Sequence, residues 1–435
     1  MLTNVVGTIA SGPVGGVVAS SYLGRLLGYK NIICTDVGGT SFDVAIIYED
    51  NPITKGENVV GQYRFTLPMI DIVSIGAGGG SIAWVQPPGL LKVGPQSAGS
   101  TPGPACLGRG GTKPTTSDAC VLLGYLDPDN FWGGQLRLDV ARAEKAMGEV
   151  GEILGMDTTA VAEGVYEIAS TAMGDLVSTT TIGRGYDPKD FVLFVYGGAG
   201  GLFGARYSRE IECQKAVVVP NPETFSAFGI SITDIKHVYE QTSPTPSFDI
   251  DVINRFFEQS GNTARQQLRR ENVAEAEMIL IHSIGLKYRA QIHELLINVP
   301  SRKLTGEDVP MIADRFDSSY EAVFGKGAAY KQAGRDLMTL RLEAIGRLPQ
   351  FPFLKHAAGD GDAGRALRGR RRAYWKDAGG FVSTDIFDGP KLLAGDTLSG
   401  PAIIAMPNTT VLVPPKTTAR MGDYREIYLE GSGDV

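Results

Sequence analysis

The chain has 435 residues, a net charge of -7, 43% hydrophobic and 20% charged residues; this exceeds one typical core and predicts two or three domains, while the acidic balance argues against a nucleic-acid partner. No run approaches the roughly 20 apolar residues of a membrane span, and the N-terminus lacks the charged-then-apolar order of a signal peptide. Cys34, Cys106, Cys120 and Cys213 are scattered without paired metal spacing, so the expectation is a cytoplasmic, glycine-rich globular enzyme with reduced thiols.

In chain order, SGPVGGVVASSYLGRLLGY opens on a turn and continues as a small-residue helix, with Pro13 at a helix start and Val14, Val17, Val18, Tyr22 and Leu26 at helical spacing. NIICTDVGGTSFDVAIIY, Asn31 to Tyr48, sets two β-branched runs around a Gly-Gly-Thr-Ser turn framed by Asp36 and Asp43, which predicts a hairpin. Glycines there let backbone N–H groups face one concavity, Thr40 and Ser41 add hydroxyls, and Asp36 can hold a metal through water, a chemistry suited to a phosphate chain and Mg2+. An ordinary hairpin turn is the competing reading. Val59 to Leu67 reads as a strand, and IDIVSIGAGGGSIAWV follows with a glycine cluster bracketed by Asp71 and Ser81. A second phosphate or substrate loop and a strained core turn are equally open there. Pro87 to Pro114 is dense in Gly and Pro, which predicts an ordered active-site loop carrying Lys92, Gln96, Ser97 and Arg109, neither helix nor central strand.

Helices are predicted over Thr115 to Leu126, Leu138 to Leu154 and Thr158 to Ile182, the last capped by Asp157. FVLFVY is a buried strand running into GGAGG, and GLFGARYSREI is the helix that follows. A Rossmann reading of that loop lacks the acidic ribose contact at its usual distance. KAVVVP is another strand. Past Ser243, SFDIDVINRFFEQSGNTARQQLRRENV is amphipathic, MILIHSIGLKYRAQIHELLINVP reads as two strands around Gly285 to Arg289, Asp314 to Phe324 as a short helix, and DLMTLRLEAIGRL as a strand. The remainder reads as hairpins and a C-terminal sheet, with Arg368 to Arg372 a solvated basic run. His237, His282, His293 and His356 have no ligand spacing, and His293 reads as a satisfied strand histidine.

SGPVGGVV, DVGGTSFDVA, GAGGGSIAWV, LKVGPQSAGSTPGPAC, GRGGTKPTTSDACVLLGYLDP, RGYDPKDFVLFVYGGAGG and the SGPAII…NTTVLVPP ending, in this order, resemble the hydantoinase A, 5-oxoprolinase and ketone carboxylase family over essentially the whole chain. The resemblance implies an α/β fold: actin, Hsp70 and sugar-kinase-like ATPase subdomains over 1–242, then a C-terminal α+β domain with a β-rich end over 243–435. It implies that Asp36, Gly38, Gly39, Thr40 and Ser41 form the second phosphate loop and that Gly197, Gly198, Ala199 and Gly200 form the adenosine-side loop; the residues themselves make Asp36 and Asp71 the catalytic candidates, with Asp36 the metal ligand. The cofactors implied are ATP with Mg2+ or Mn2+. The reaction implied is transfer of the γ-phosphoryl group to a carbonyl or enol oxygen, leading to carboxylation of a ketone of the acetone or acetophenone type. The alternatives are hydrolysis of a hydantoin, 5-oxoproline or other cyclic amide, or a non-catalytic scaffold. Family members carry a further N-terminal Asp-x-Gly-Gly-Thr loop. The expectation is therefore either a fragment or a chain whose companion subunit supplies that loop, together with a hydantoinase B-type subunit, in a complex with no nucleic-acid or membrane partner.

Overall fold

A computed structural model describes residues 11–431 except 61, 246–248, 290 and 350; the first ten residues and the start of the SFDID segment lie outside the described residues. The chain divides into two compact units, one built from residues 11–231 together with 352–431 and the other from 232–351.

The first unit is organised by a nine-stranded sheet. Its middle is the hairpin β1 (Ile32–Val37) and β2 (Phe42–Tyr48), antiparallel, with Asp36 opposite Asp43. On the other side of β1 lies Val192–Tyr196 in parallel, then Lys215–Val218, also parallel. All five residues of Val192–Tyr196 are buried, as a strand covered on both faces requires. Helix α1 (Ser11–Leu27) covers one face with Phe225–Ser231, while Thr158–Ile182 and Gly200–Glu210 lie on the face holding Val44, Phe203 and Tyr207. Thr158–Ile182 spans the residues expected, with Asp157 accepting the Ala160 N–H as its cap.

The division into domains differs from the one expected at 242/243. Ile427–Gly431 pairs antiparallel with Lys215–Val218, and Thr417–Met421 and Thr397–Ser399 extend the same sheet. A second four-stranded sheet, Leu367–Trp375, Gly380–Asp388, Ala402–Ala405 and Thr410–Val413, also belongs to the first unit. The separate unit, 232–351, begins before the expected boundary and takes in only the first part of the expected C-terminal domain. It is a four-stranded sheet, Ile235–Thr245, Arg335–Gly346, Met278–Tyr288 and Leu295–Val299, carrying helices Ile250–Arg270 and Asp308–Phe324 over one core.

Four local expectations also differ. The Gly/Pro-rich stretch contains a strand, Leu90–Ser97, paired antiparallel with Ser81–Gln86; a two-stranded ribbon leaves edges where proline is tolerated. Met278–Tyr288 runs unbroken through Gly285, so the turn falls after it. His293 is exposed in that turn and is no strand histidine. In the basic run, Arg371 is not solvated: its guanidinium donates to the Gly124 and Tyr125 carbonyls at 2.8 and 2.7 Å.

Candidate functional site

Two glycine loops leave the same end of the central strands. β1 and Val192–Tyr196 are parallel, with Asp36 beside Tyr196, so the chain emerges from both at their carboxyl ends, where ligands of open α/β sheets bind. Gly38–Ser41 follows β1 and Gly197–Gly200 follows Tyr196. The Ala199 N–H donates to the Val37 carbonyl at 3.0 Å, tying one loop to the other. The structure thus brings together Asp36, Gly38, Gly39, Thr40, Ser41, Gly197, Gly198, Ala199 and Gly200.

In the first loop, the Gly38 N–H closes the turn on the Ser41 carbonyl. The N–H groups of Gly39, Thr40 and Ser41 take no acceptor among the described residues, and Gly39 and Thr40 are exposed. Three successive open donors beside two hydroxyls make an anion-binding concavity. The second loop contributes the Gly198 N–H, likewise without an acceptor, at a position where a Cβ would meet nothing. Thr409 holds this loop by donating to the Gly198 carbonyl at 2.8 Å, and the neighbouring Asn408 donates to Glu223 at 3.1 Å.

Asp36 stands between the loops. Its Oδ2 accepts from Ser226 Oγ at 3.1 Å, and its Oδ1 lies where a Cβ on Gly197 would overlap it. Gly197 has φ +84°, so its lack of a side chain serves both the turn and the carboxylate. Burial pushes the Asp36 carboxyl up from 3.8 to about 6; the Ser226 hydroxyl works against the rise and the Asp43 carboxylate adds to it. An ionised carboxylate held at such a cost, next to a second carboxylate that accepts from Ser41 Oγ at 3.4 Å, is a fitting ligand for a hard divalent cation.

Asp71 is not brought to this site. Ser74 is the residue opposite Asp43, so Asp71 lies three residues further along its chain, roughly 10 Å away at strand rise. It forms ion pairs with Arg184 and with Lys55, the latter at 3.2 Å. Burial alone would raise its carboxyl, but these cations outweigh burial and hold it below the usual carboxylate value. Its geometry is that of a tie between the sheet and the end of Thr158–Ile182.

The second glycine cluster sits against the first. Gly79 and Gly80 donate to the Gly38 and Gly39 carbonyls at 3.1 and 2.7 Å, and the Gly78 N–H is taken by Ser81 Oγ at 2.8 Å. Of the polar residues of the Gly/Pro-rich stretch, Ser97 reaches the loop, 3.2 Å from Thr40 Oγ1. Sequence reasoning missed Ser226, whose position opposite Asp36 no local motif marks, and gave Asp43 no role. The cross-strand register of the hairpin was the signal that could have placed Asp43 beside Asp36.

The hydantoinase/oxoprolinase family pattern matches residues 1–239, and that of the hydantoinase/oxoprolinase C-terminal domain matches 248–431. The chain is 36% identical to the acetophenone carboxylase gamma subunit of Aromatoleum aromaticum over 94% of its own length and 57% of that protein. It is 30% identical to the caprolactamase subunit alpha of Pseudomonas jessenii, covering 95% of this chain and 60% of that one. Among solved structures, nucleotide-free acetone carboxylase superposes with a TM-score of 0.89 at 28% identity, over 97% of this chain and 61% of the other. The chain thus spans about three fifths of the length of the relatives it matches. No described helix is long and apolar enough to cross a membrane. With the ordered sequence blocks, the mixed α/β fold and the paired glycine loops all in agreement with these matches, the chain belongs to the hydantoinase/oxoprolinase family.

Proposed function

We propose that this chain is part of an ATP-dependent enzyme that phosphorylates a carbonyl or enol oxygen, most closely of the ketone carboxylase type. The observation that carries the reading is the row of open N–H donors at Gly39, Thr40 and Ser41 beside the buried carboxylate of Asp36 and facing the glycine loop Gly197–Gly200. Such a site binds the polyphosphate through backbone donors, and Thr40 and Ser41 add hydroxyls. Asp36, with Asp43 beside it, would hold Mg2+ or Mn2+, which neutralises charge on the transferring phosphoryl group. The glycines of the second loop let the nucleoside approach the backbone, and the C-terminal Thr409 fixes that loop through Gly198.

Carboxylation of acetone or acetophenone is supported by the relatives of that name. Hydrolysis of a cyclic amide is the second reading, favoured by the similarity to caprolactamase and 5-oxoprolinases. Both readings place the chain in a cytoplasmic complex, with a companion segment supplying another phosphate loop and a hydantoinase B-type partner. A scaffold without turnover is opposed by the gathering of three open donors beside the Asp36 carboxylate, an arrangement suited to an anion with its cation. The test is ATP consumption by the reconstituted complex with acetone, acetophenone, hydantoin, 5-oxoproline and caprolactam, with and without bicarbonate. Bicarbonate-dependent turnover of a ketone supports the carboxylase. Bicarbonate-independent turnover of a cyclic amide replaces it with the hydrolase, and absence of nucleotide binding in the complex removes both.

A further inference from the structure

We propose that Ser226 is the positioning residue of the Asp36 carboxylate: its hydroxyl fixes one oxygen so that the other is presented, in a single orientation, to a divalent cation accompanying the nucleotide. The inference rests on the ATP-site reading and deepens it. Asp36 has two oxygens with different surroundings. Oδ2 accepts from Ser226 Oγ at 3.1 Å. Oδ1 has no protein donor among the described residues and lies against the Gly197 backbone, at the mouth of the two loops. A carboxylate without the serine could turn about χ2, a broad and soft torsion, and share its charge between two orientations. With the serine it is committed to one.

The serine itself is held by backbone. It lies on the short helix Phe225–Ser231, whose backbone comes close against Gly15 of α1. A Cβ on Gly229 would overlap the Gly15 carbonyl, and a Cβ on Gly15 would overlap the Ser226 carbonyl itself. One residue on, a Cβ on Gly16 would overlap the Tyr196 ring, so α1 is seated directly on the strand neighbouring Asp36. The SGPVGG segment thus acts by packing: Gly15 and Gly16 bring the helix that carries Ser226 to within one hydrogen bond of Asp36. A threonine at 226 keeps the hydroxyl, an alanine removes only the hydrogen bond, and neither alters the glycine contacts.

The test uses the full chain with any subunits that co-purify, Mn2+ as the cation and a non-hydrolysable ATP analogue, with bound Mn2+ read by electron paramagnetic resonance. S226A is expected to weaken Mn2+ binding in the presence of the analogue by about tenfold, the scale of one hydrogen bond to a charged group, while binding of the metal-free analogue changes less than twofold. S226T is expected to restore Mn2+ binding. If the unsubstituted protein binds Mn2+ with the analogue and S226A matches it, the positioning role is wrong while the ATP reading stands. If the unsubstituted protein binds neither, the ATP reading falls. A double-mutant cycle of S226A and D36A, in which residue 36 keeps no acceptor for the hydroxyl, by thermal unfolding then decides the serine independently: additive shifts would mean that the hydroxyl does not hold the carboxylate, and the proposal fails.

Discussion

Replacing Asp36 with asparagine should make the ligand-free protein more stable and functionally inert at once. The carboxyl is raised from 3.8 to about 6, a shift of about 2 units, and at about 1.4 kcal/mol per unit the ionised group costs the fold roughly 3 kcal/mol at neutral pH. The asparagine side chain keeps the shape and still accepts from Ser226 Oγ, but carries no charge to desolvate or to repel Asp43. A raised carboxylate makes the folded state bind more protons than the unfolded one. Its contribution is therefore present at low pH and is lost as pH rises from 3.8 through about 6. Denaturant unfolding between pH 4 and 8 should show this decline in the wild-type protein and its absence in D36N, with D36N the more stable at pH 7. Mg2+ with nucleotide should stabilise the wild type and leave D36N unmoved, and ATP-dependent turnover should be abolished in D36N as in D36A. A D36N protein less stable than wild type at pH 7, or one fully active, would refute the reasoning.

Gly197→Ala forces a side chain at φ +84° into Asp36 Oδ1 and the Val37 carbonyl; a loss of at least about 2 kcal/mol in denaturant unfolding is expected, with nucleotide binding lost. His282 is buried, stacked on Phe257 at 4.1 Å, and its Nδ1 has no hydrogen-bond partner among the described residues; burial lowers its pKa from 6.5. The second unit should therefore lose stability as pH falls below 6.5, by up to about 1.4 kcal/mol per pH unit, and His282→Phe should remove that dependence in urea melts at pH 5 and 8. Arg335→Ala would take the bidentate partner from Asp317, which is 3% exposed, leaving it Tyr288 Oη at 2.7 Å and the more distant Lys331 ammonium at 3.5 Å; a loss of about 3 kcal/mol is expected by the same measurement.

What the sequence made legible follows the range of the forces involved. Helix Thr158–Ile182 was readable because a cap at Asp157 and a 3.6-residue period act within a few positions. The β1–β2 hairpin was readable because its turn chemistry is local. Pairings over long distances were not. The strand Ile427–Gly431 closes on Lys215–Val218 across some two hundred residues, so a division near 242 missed that the chain returns to its first sheet. Leu90–Ser97 was hidden for another reason: it pairs with the nearby Ser81–Gln86, but Gly94 and Pro95 within it break the alternation that marks a strand. Asp71 has a salt-bridge partner 113 residues away in Arg184, and nothing near it in sequence separates a tie of this kind from a reactive carboxylate. Ser226 is likewise brought to Asp36 across 190 residues.

The cluster Gly78–Gly80 can support the proposed phosphate loop without itself offering a donor to the phosphate. A loop that binds an anion must keep its N–H groups open. Here all three are spent: Gly78 on Ser81 Oγ, Gly79 on the Gly38 carbonyl and Gly80 on the Gly39 carbonyl. The two carbonyls so held belong to the loop whose own donors are open, and fixing a peptide's carbonyl fixes the direction of the N–H across the same plane. The Gly39 carbonyl shares its peptide with the Thr40 N–H, so Gly80 aims one of the donors. Gly80→Ala would place a Cβ 2.9 Å from the Gly39 carbonyl oxygen and 3.0 Å from Ser97 Oγ, whereas Gly79→Ala would meet only Ser117 Oγ, at 3.0 Å. The first must move the phosphate loop; the second need only turn a hydroxyl. G80A should weaken binding of a non-hydrolysable ATP analogue by about tenfold, about 1.4 kcal/mol, and speed amide exchange at Gly38–Ser41, with G79A close to wild type in both. Equal effects of the two substitutions would mean that the cluster acts only through general packing and does not aim the donors.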